Sequence, residues 1–172
     1  ESLSSLSALT NLTIQNRSDH ELLNGALGIL MQNQDMQHCS IFLQRDGYLV
    51  NVAGLSWAQL NGGVSEKSDT PAASHQFKTG EGLIGIAAET GLIQHCRDCS
   101  VDPRFKRLDS VTGYQPGSLI SVPIFFQDRT LGVLNISHRQ ANVFSEWHER
   151  FLFVFCNMLG HLITSNRLLR DM

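Results

Sequence analysis

In "GSLISVPIFFQDRTLGVLNISH", residues 117–138, two apolar runs flank a short polar segment. Both runs are rich in β-branched and aromatic residues, which favour strands, and residues 127–129 are expected to form the turn. A second segment of this kind, residues 39–55, has Asp46 and Gly47 between its apolar runs, and Asp-Gly is a strong signal for a tight hairpin turn. Two hairpins predict a largely antiparallel sheet.

Helical patterns lie on both sides of these hairpins. Leucines at positions 3, 6, 9 and 12 predict a first helix with a narrow apolar stripe, which suits a helix–helix seam. Ser18 followed by Glu21 is a capping-box pattern and predicts that a second helix begins there. "SEWHERF", from residue 145, is expected to open a final helix of about 25 residues, which is long for a globular domain. Its apolar face persists to the last residues, so we expect it to continue into a partner or a following domain.

The segment between the hairpins is rich in glycine. "KTGEGLIGIAAETGLIQHC", residues 78–96, predicts a helix of about two turns that ends at Gly91, followed by a strand over 92–96. The mixture of helices and hairpins indicates an α+β fold, with the terminal helices on one face of the sheet and a loop-rich region over the other. The predicted loops are 56–75, with a short helix near Trp57, and 98–117, with a short helix over 104–108.

The composition is that of an ordinary globular domain. The chain has 172 residues, 42% hydrophobic and 17% charged, which is enough for one domain with a sizeable core. A net charge of −3 and scattered basic residues predict no nucleic-acid partner. No apolar run approaches the roughly 20 residues of a membrane span, and no signal peptide is evident. Four cysteines are too few for a disulfide scaffold, so a cytoplasmic setting is expected, and the first residue, Glu1, indicates an excised fragment.

Four segments in this order resemble a GAF domain: "TGEGLIGIAAETG", "VDPRF", "GSLISVPIFFQDRTLGVLNI" and "FSEWHERFLFVF". The resemblance covers residues 18–165. It implies a small-molecule sensory module with a PAS-related central antiparallel sheet. Helices from both termini would pack on one face, and loops and short helices would enclose a ligand pocket on the other. Residues 1–17 would then be a signalling and dimerisation helix, and 145–172 a long helix leading to an output domain.

The residues at which GAF subtypes hold their ligands differ here. Cyclic-nucleotide GAF domains carry an N-K…F-x-x-x-D-E signature. The corresponding positions here are His138, Arg139, Phe144, His148 and Glu149, so the Asn, the Lys and the Asp are all replaced. The sequence therefore gives no positive support for a cyclic nucleotide.

Covalent attachment of a bilin is not expected either. One group of bilin-binding GAF domains uses a D-x-C-F motif, and the similar element here has Arg104 at the cysteine position. Another group uses a Cys-His pair before the strand that carries the Val-Pro step, and residues 105–121 contain no cysteine.

The stretch "HCRDCSVDPRF", residues 95–105, admits several interpretations. Zinc usually needs four ligands, and here one C-x-x-C pair stands next to His95, whose side chain points away from that of Cys96 on a strand. A metal site made by Cys96, Cys99 and His138 stays open, as does haem ligation by His95. A redox pair of Cys96 and Cys99 is a further alternative, with Arg97 favouring the thiolate. Ordinary pocket-wall residues are the main interpretation.

The resemblance also admits an enzyme, because free methionine sulfoxide reductases are GAF proteins that use several pocket cysteines. Cys96 and Cys99 lie in a comparable region, although the full cysteine spacing does not match. No G-x-S-x-G elbow, P-loop or H-E-x-x-H motif is present, so we predict no catalytic residue. A dimerisation module with a vestigial pocket is the remaining alternative.

The sequence thus predicts a regulatory, non-enzymatic sensor domain that binds a small molecule and forms a homodimer through its terminal helices. The output domain would be a diguanylate cyclase, slightly favoured over a histidine kinase or a transcription activator. An error of one residue in a strand would exchange Phe42 for Ile41 and Cys96 for His95 as pocket residues. The predicted ligand-binding residues are Phe42, Gln94, Cys96, Cys99, Asp102, Phe105, Ser118 and Ile120.

Overall fold

A computed structural model describes residues 2–11, 18–32, 36–56, 76–105 and 116–170 of the chain. The helices are α1 (Ser2–Asn11), α2 (Asp19–Leu30), α3 (Gly82–Thr90) and α4 (Glu146–Arg170). The strands are β1 (His38–Arg45), β2 (Tyr48–Ser56), β3 (Gln76–Lys78), β4 (Gln94–Cys96), β5 (Ser118–Phe126) and β6 (Arg129–His138).

The strands form one six-stranded sheet in the order β3-β2-β1-β6-β5-β4. Every neighbouring pair is antiparallel, which confirms the predicted α+β class with a central antiparallel sheet. The two predicted hairpins are β1-β2 and β5-β6. In the first turn, Asp46 and Gly47 have φ angles of 52° and 82°, the left-handed values that a type I′ turn requires at both central positions.

The local end signals of the helices act as the sequence predicted. The Ser18 hydroxyl accepts a hydrogen bond from the backbone N–H of Glu21 at 3.2 Å, and it donates to Glu21 Oε1 at 3.0 Å. Helix α3 ends at Gly91, whose φ of 70° lets its N–H donate to the Ala87 carbonyl at 2.9 Å. Helix α4 runs for 25 residues, as predicted.

Three helices cover one face of the sheet and make a continuous apolar layer, here called the helix-side core. Helices α1, α2 and α4 contribute leucines such as Leu9, Leu27 and Leu159. At Gly160 the backbone of α4 packs directly against β5. The contact is so close that a Cβ added at this position would overlap the Phe125 carbonyl oxygen. The sheet residues in this core include Ile41, Leu43, Ile120, Val122, Ile124, Leu134 and Ile136.

The opposite face carries two smaller apolar clusters, and α3 packs on it. The Phe42 cluster contains Phe42, Leu49, Phe77, Ile84, Ala87, Ala88 and Val133. The Cys96 cluster contains Leu83, Cys96, Cys99 and Leu119, with the half-buried Phe105 packed against it. Helix α3 contributes residues to both clusters and so bridges them.

Some predicted elements differ or cannot be compared. The strand predicted over 92–96 begins at Gln94, and β3 was not predicted. The predicted helix near Trp57 and most of the one over 104–108 lie outside the described residues. No helix in the described part of the chain is both long enough and apolar enough to cross a membrane.

Candidate functional site

A row of polar side chains runs across four strands, and we call it the polar row. Ser40 pairs with Asn135, Asn135 with Ser121, and Ser121 with Gln94, on β1, β6, β5 and β4 respectively. Residues that flank the row along the strands, such as Ile136, belong to the helix-side core. Because side chains alternate along a strand, the row faces the other side of the sheet, between the Phe42 cluster and the Cys96 cluster.

The centre of the polar row is a buried hydrogen bond. Ser121 Oγ donates to Asn135 Oδ1 at 2.8 Å, where Ser121 is fully buried and Asn135 is 7% exposed. Buried polar groups cost free energy unless they are paired, so this bond offsets the cost of two polar residues in mid-sheet. An amide offers both hydrogen-bond donors and an acceptor, which makes Asn135 suited to hold a small polar molecule.

Arg104 holds the end of the polar row in place. Its guanidinium donates to both carboxylate oxygens of Asp102, at 3.1 and 2.7 Å, to Gln94 Oε1 at 3.0 Å and to the His95 carbonyl at 2.8 Å. The hydrogen bonds from Arg104 lower the pKa of Asp102 to about 2, and Asp102 in turn raises the pKa of Arg104. Arg104, at the position of the bilin cysteine, thus joins the loop after β4 to that strand and orients the side chain of Gln94.

Cys96 and Cys99 lie beside the row with their sulfur atoms 3.2 Å apart and not bonded to each other. They are 0% and 6% exposed. Burial raises the pKa of the Cys96 thiol, and the hydrogen bond with Cys99 and the nearby Asp102 raise it further. The expectation that Arg97 favours a thiolate at Cys96 is therefore wrong.

His95 lies on the other face of the sheet from Cys96, as strand alternation predicted. Its Nδ1 is 2.8 Å from Glu149 Oε1 in the first turns of α4, and its ring makes an edge contact with Phe144 at a centroid distance of 6.4 Å. Its Nε2 is buried and has no hydrogen-bond partner among the described residues. His95 therefore points away from the polar row. To ligate a haem in that region, or a metal shared with Cys96, its side chain would have to lie on the same face as the row.

Metal ligation finds no support in the described ranges, which contain no group of three or more His, Cys, Asp or Glu placed to hold an ion. A surface groove of about 480 Å³ lies along the loop after β4 and is lined by residues such as Arg97, Val101 and Arg104. None of the four residues of the polar row lines this groove.

The structure brings together most of the predicted ligand-binding residues, apart from two on β5. Phe42, Gln94, Cys96, Cys99 and Phe105 lie on or against the face of the polar row, with Asp102 joined to it through Arg104. Ser118 instead donates a hydrogen bond to the Gln140 carbonyl at 2.7 Å, which holds the turn after β6.

The predicted orientation of Ile120 is wrong, because its side chain belongs to the helix-side core. Every residue of the run "SLISVPI" is buried, so the positions of its apolar residues do not show which alternate residues face the helices and which face the polar row. Sequence reasoning also missed Ser121 and Asn135. The alternation of polar and apolar residues in "LNISH" was the available signal for a polar face on β6.

Comparison with known proteins agrees with this architecture. The family model of the GAF domain matches residues 19–163. The GAF domain of an Acinetobacter phosphoenolpyruvate-protein phosphotransferase is similar, with a TM-score of 0.78 and 21% identity over 96% of this chain and 94% of that one. The GAF domain of the same kind of protein from Coxiella burnetii gives a TM-score of 0.75 and 22% identity over 99% and 97%.

An enzyme shares the fold as well. The free methionine-R-sulfoxide reductase from Neisseria meningitidis, solved with its substrate, gives a TM-score of 0.75 and 17% identity over 98% of this chain and 93% of that one. No curated protein matches the sequence. Since the family model spans most of the chain, the chain belongs to the GAF domain family, whose members are generally regulatory sensors.

Proposed function

We propose that this GAF domain is a regulatory sensor that binds a small, uncharged, hydrogen-bonding molecule against the polar row. The observation that carries the proposal is the buried Ser121–Asn135 pair in mid-sheet, between two apolar clusters. All four residues of the row are uncharged, and a few polar groups among apolar walls are typical of small-molecule sites. The proposed contacts are Ser40, Phe42, Gln94, Cys96, Cys99, Phe105, Ser121 and Asn135, with Asp102 acting through Arg104.

The terminal helices would carry the signal: residues 1–17 precede the sensory domain 18–165, and residues 145–172 form its last helix and extend beyond it. Trp147, Val154 and Leu168 are 50%, 44% and 63% exposed and lie in one heptad register along α4, in which the fourth position is His161. Apolar residues at heptad spacing suit a parallel homodimer seam. Ligand binding would shift the packing of this seam and so act on an output domain, with a diguanylate cyclase slightly favoured. A cytoplasmic setting, with neither nucleic acid nor membrane as a partner of this domain, completes the proposal.

Native mass spectrometry of the purified protein tests the sensor function. We expect a dimer, with a co-purified small molecule or with binding of an uncharged compound from a panel of nucleosides, sugars and amides, tested beside nucleotides, amino acids and haem. A compound that binds should also raise the melting temperature, because a ligand that binds the folded state alone stabilises it. A tight dimer that binds no compound would instead support a dimerisation module with a vestigial pocket.

Reduction of free methionine sulfoxide is the second candidate function. The two thiols of Cys96 and Cys99, 3.2 Å apart beside the polar row, are the observation that favours it. One thiol would take the sulfoxide oxygen as a sulfenic acid, and the other would displace it as water and form a disulfide. Incubation with free methionine-R-sulfoxide and dithiothreitol should then yield methionine, and Cys96→Ser should yield none. An absence of methionine above the protein-free control would exclude this activity.

A further inference from the structure

We propose that Cys96 and Cys99 form a reversible disulfide on reaction with a peroxide, and that closing this bond alters the contacts at the start of α4. Oxidation of these two cysteines would be a signal separate from the ligand binding proposed above. The two sulfur atoms are 3.2 Å apart, whereas a disulfide bond is about 2.05 Å long. A small approach of the two residues is therefore sufficient to form the bond.

The chemistry requires one molecule of hydrogen peroxide for each disulfide. One thiol takes an oxygen atom from the peroxide and becomes a sulfenic acid, and the first water leaves. The second thiol attacks that sulfur, the S–S bond forms, and the hydroxyl group leaves with a proton as the second water. Of the two residues Cys99 is the less buried, at 6% exposure against 0% for Cys96, so we take Cys99 as the residue oxidised first and Cys96 as the residue that closes the bond.

Strand β4 connects this pair to α4 through both neighbours of Cys96. On one side, His95 Nδ1 contacts Glu149 Oε1 at 2.8 Å. On the other side, the Arg97 carbonyl accepts a hydrogen bond at 2.8 Å from the backbone N–H of Asn142, which precedes α4. A movement of the Cys96 backbone therefore acts on two contacts near the beginning of the long helix.

The packing around Cys96 favours a movement of its backbone. Its side chain is fully buried against Leu83 and Leu119, so the sulfur cannot swing freely towards Cys99. The Cys99 backbone is fixed as well, because its N–H donates to the Gly117 carbonyl at 2.8 Å. In a closely packed interior, an approach of about 1 Å is shared between side-chain rotation and a backbone shift.

The remaining two cysteines provide an internal control. Cys39 Sγ contacts Met31 Sδ at 3.2 Å, and Cys156 Sγ lies 4.0 Å from the Val122 carbonyl oxygen, both in the helix-side core. Neither of these sulfur atoms contacts another thiol in the described part of the chain, whereas Cys96 and Cys99 contact each other. Cys39 and Cys156 are therefore expected to form no disulfide while Cys96 and Cys99 oxidise.

The first test counts thiols. The folded protein is treated with hydrogen peroxide, quenched, unfolded and alkylated, and its mass and tryptic peptides are measured. We expect two of the four thiols to escape alkylation, with Cys96 and Cys99 in one disulfide-linked peptide, and dithiothreitol to restore all four. Cys99→Ser and Cys96→Ser should each lose this peptide, and Cys156→Ala should keep it. Four alkylated thiols in the treated wild-type protein, or stable sulfinic acids without a disulfide, would overturn the proposal.

The second test measures hydrogen exchange of the backbone amides over residues 142–150 in the reduced and oxidised protein. We expect oxidation to change these exchange rates about twofold or more in the wild-type protein. Glu149→Ala, which removes the oxygen that contacts His95 and keeps the cysteines, should form the same disulfide with a smaller change in exchange. A disulfide that forms while exchange over 142–150 stays unchanged would overturn the coupling to α4.

Discussion

The two faces of the sheet use the same strands for different purposes. On the helix-covered face, side chains from α1, α2, α4 and four strands join into one apolar core. On the opposite face, the Phe42 and Cys96 clusters are separate, and the polar row lies between them. The contrast shows that alternation along a strand lets one element contribute to an apolar core on one side and carry polar groups on the other.

The largest effect is expected from a cavity in the helix-side core. Ile120→Ala should lower the free energy of unfolding by about 2–5 kcal/mol, because the fully buried side chain leaves a void that α4 and β5 cannot close. Ile120→Val is the matched control and should cost about 0.5–1.5 kcal/mol. Urea unfolding measures both variants. A loss below about 1 kcal/mol for Ile120→Ala would mean that this face is not the main source of stability.

Two glycines in the helices on this face are expected to respond to alanine in opposite directions. Gly160→Ala should destabilise the protein by about 1–3 kcal/mol, because the added Cβ meets backbone atoms of Phe125. Gly28→Ala, in α2 with nothing within 4 Å of the added Cβ, should stabilise the protein by up to about 1 kcal/mol. Both are measured by urea unfolding, and effects of the same sign would contradict the close approach of α4 to β5.

On the opposite face, the Asp102–Arg104 pair should make stability depend on pH. Folding lowers the pKa of Asp102 from 3.8 to about 2, so the stabilisation is complete above about pH 4 and is lost as the pH falls towards 2. Asp102→Asn should cost about 1–2 kcal/mol near neutral pH, a range that allows for the partly exposed Arg104. Urea unfolding over this pH range should show wild type and variant converging in acid, whereas Asp128→Asn, in the β5-β6 turn, should follow the wild type.

The smallest effect belongs to a pair on the outer surface of α4. Arg150 Nη2 lies 3.6 Å from Glu146 Oε2, and both side chains are about 80% exposed. Glu146→Gln should therefore change the free energy of unfolding by less than about 0.5 kcal/mol at any salt concentration. A loss as large as that of Asp102→Asn in the same urea experiment would show that exposure does not separate these two ion pairs.

Much of the fold followed from local sequence signals. The Asp46-Gly47 turn, the Ser18 cap and the Gly91 helix end each depend on residues that are close in sequence, so they could be predicted. The sheet class followed from the two hairpins.

Contacts between distant residues were beyond the sequence. Ser121 and Asn135 meet because β5 and β6 pair in one particular register, and His95 and Glu149 are 54 residues apart. The face of Ile120 depended on the same register, since both faces of β5 are buried. Arg104 was recognised as a substitution at a bilin position, but its four hydrogen-bond acceptors come from a loop and a strand that fold together.

The most direct test of the polar row is a ligand-induced shift in melting temperature, measured across the panel on three proteins. The double variant Ser121→Ala with Asn135→Leu removes both hydrogen-bond partners together and should remain folded, and Ile136→Val is a control in the helix-side core. We predict that a compound at about 100 times its Kd raises the melting temperature of the wild type and of Ile136→Val by about 5–10 °C. The same compound should leave the double variant unchanged. An equal shift in all three proteins would contradict the assignment of the polar row as the binding surface.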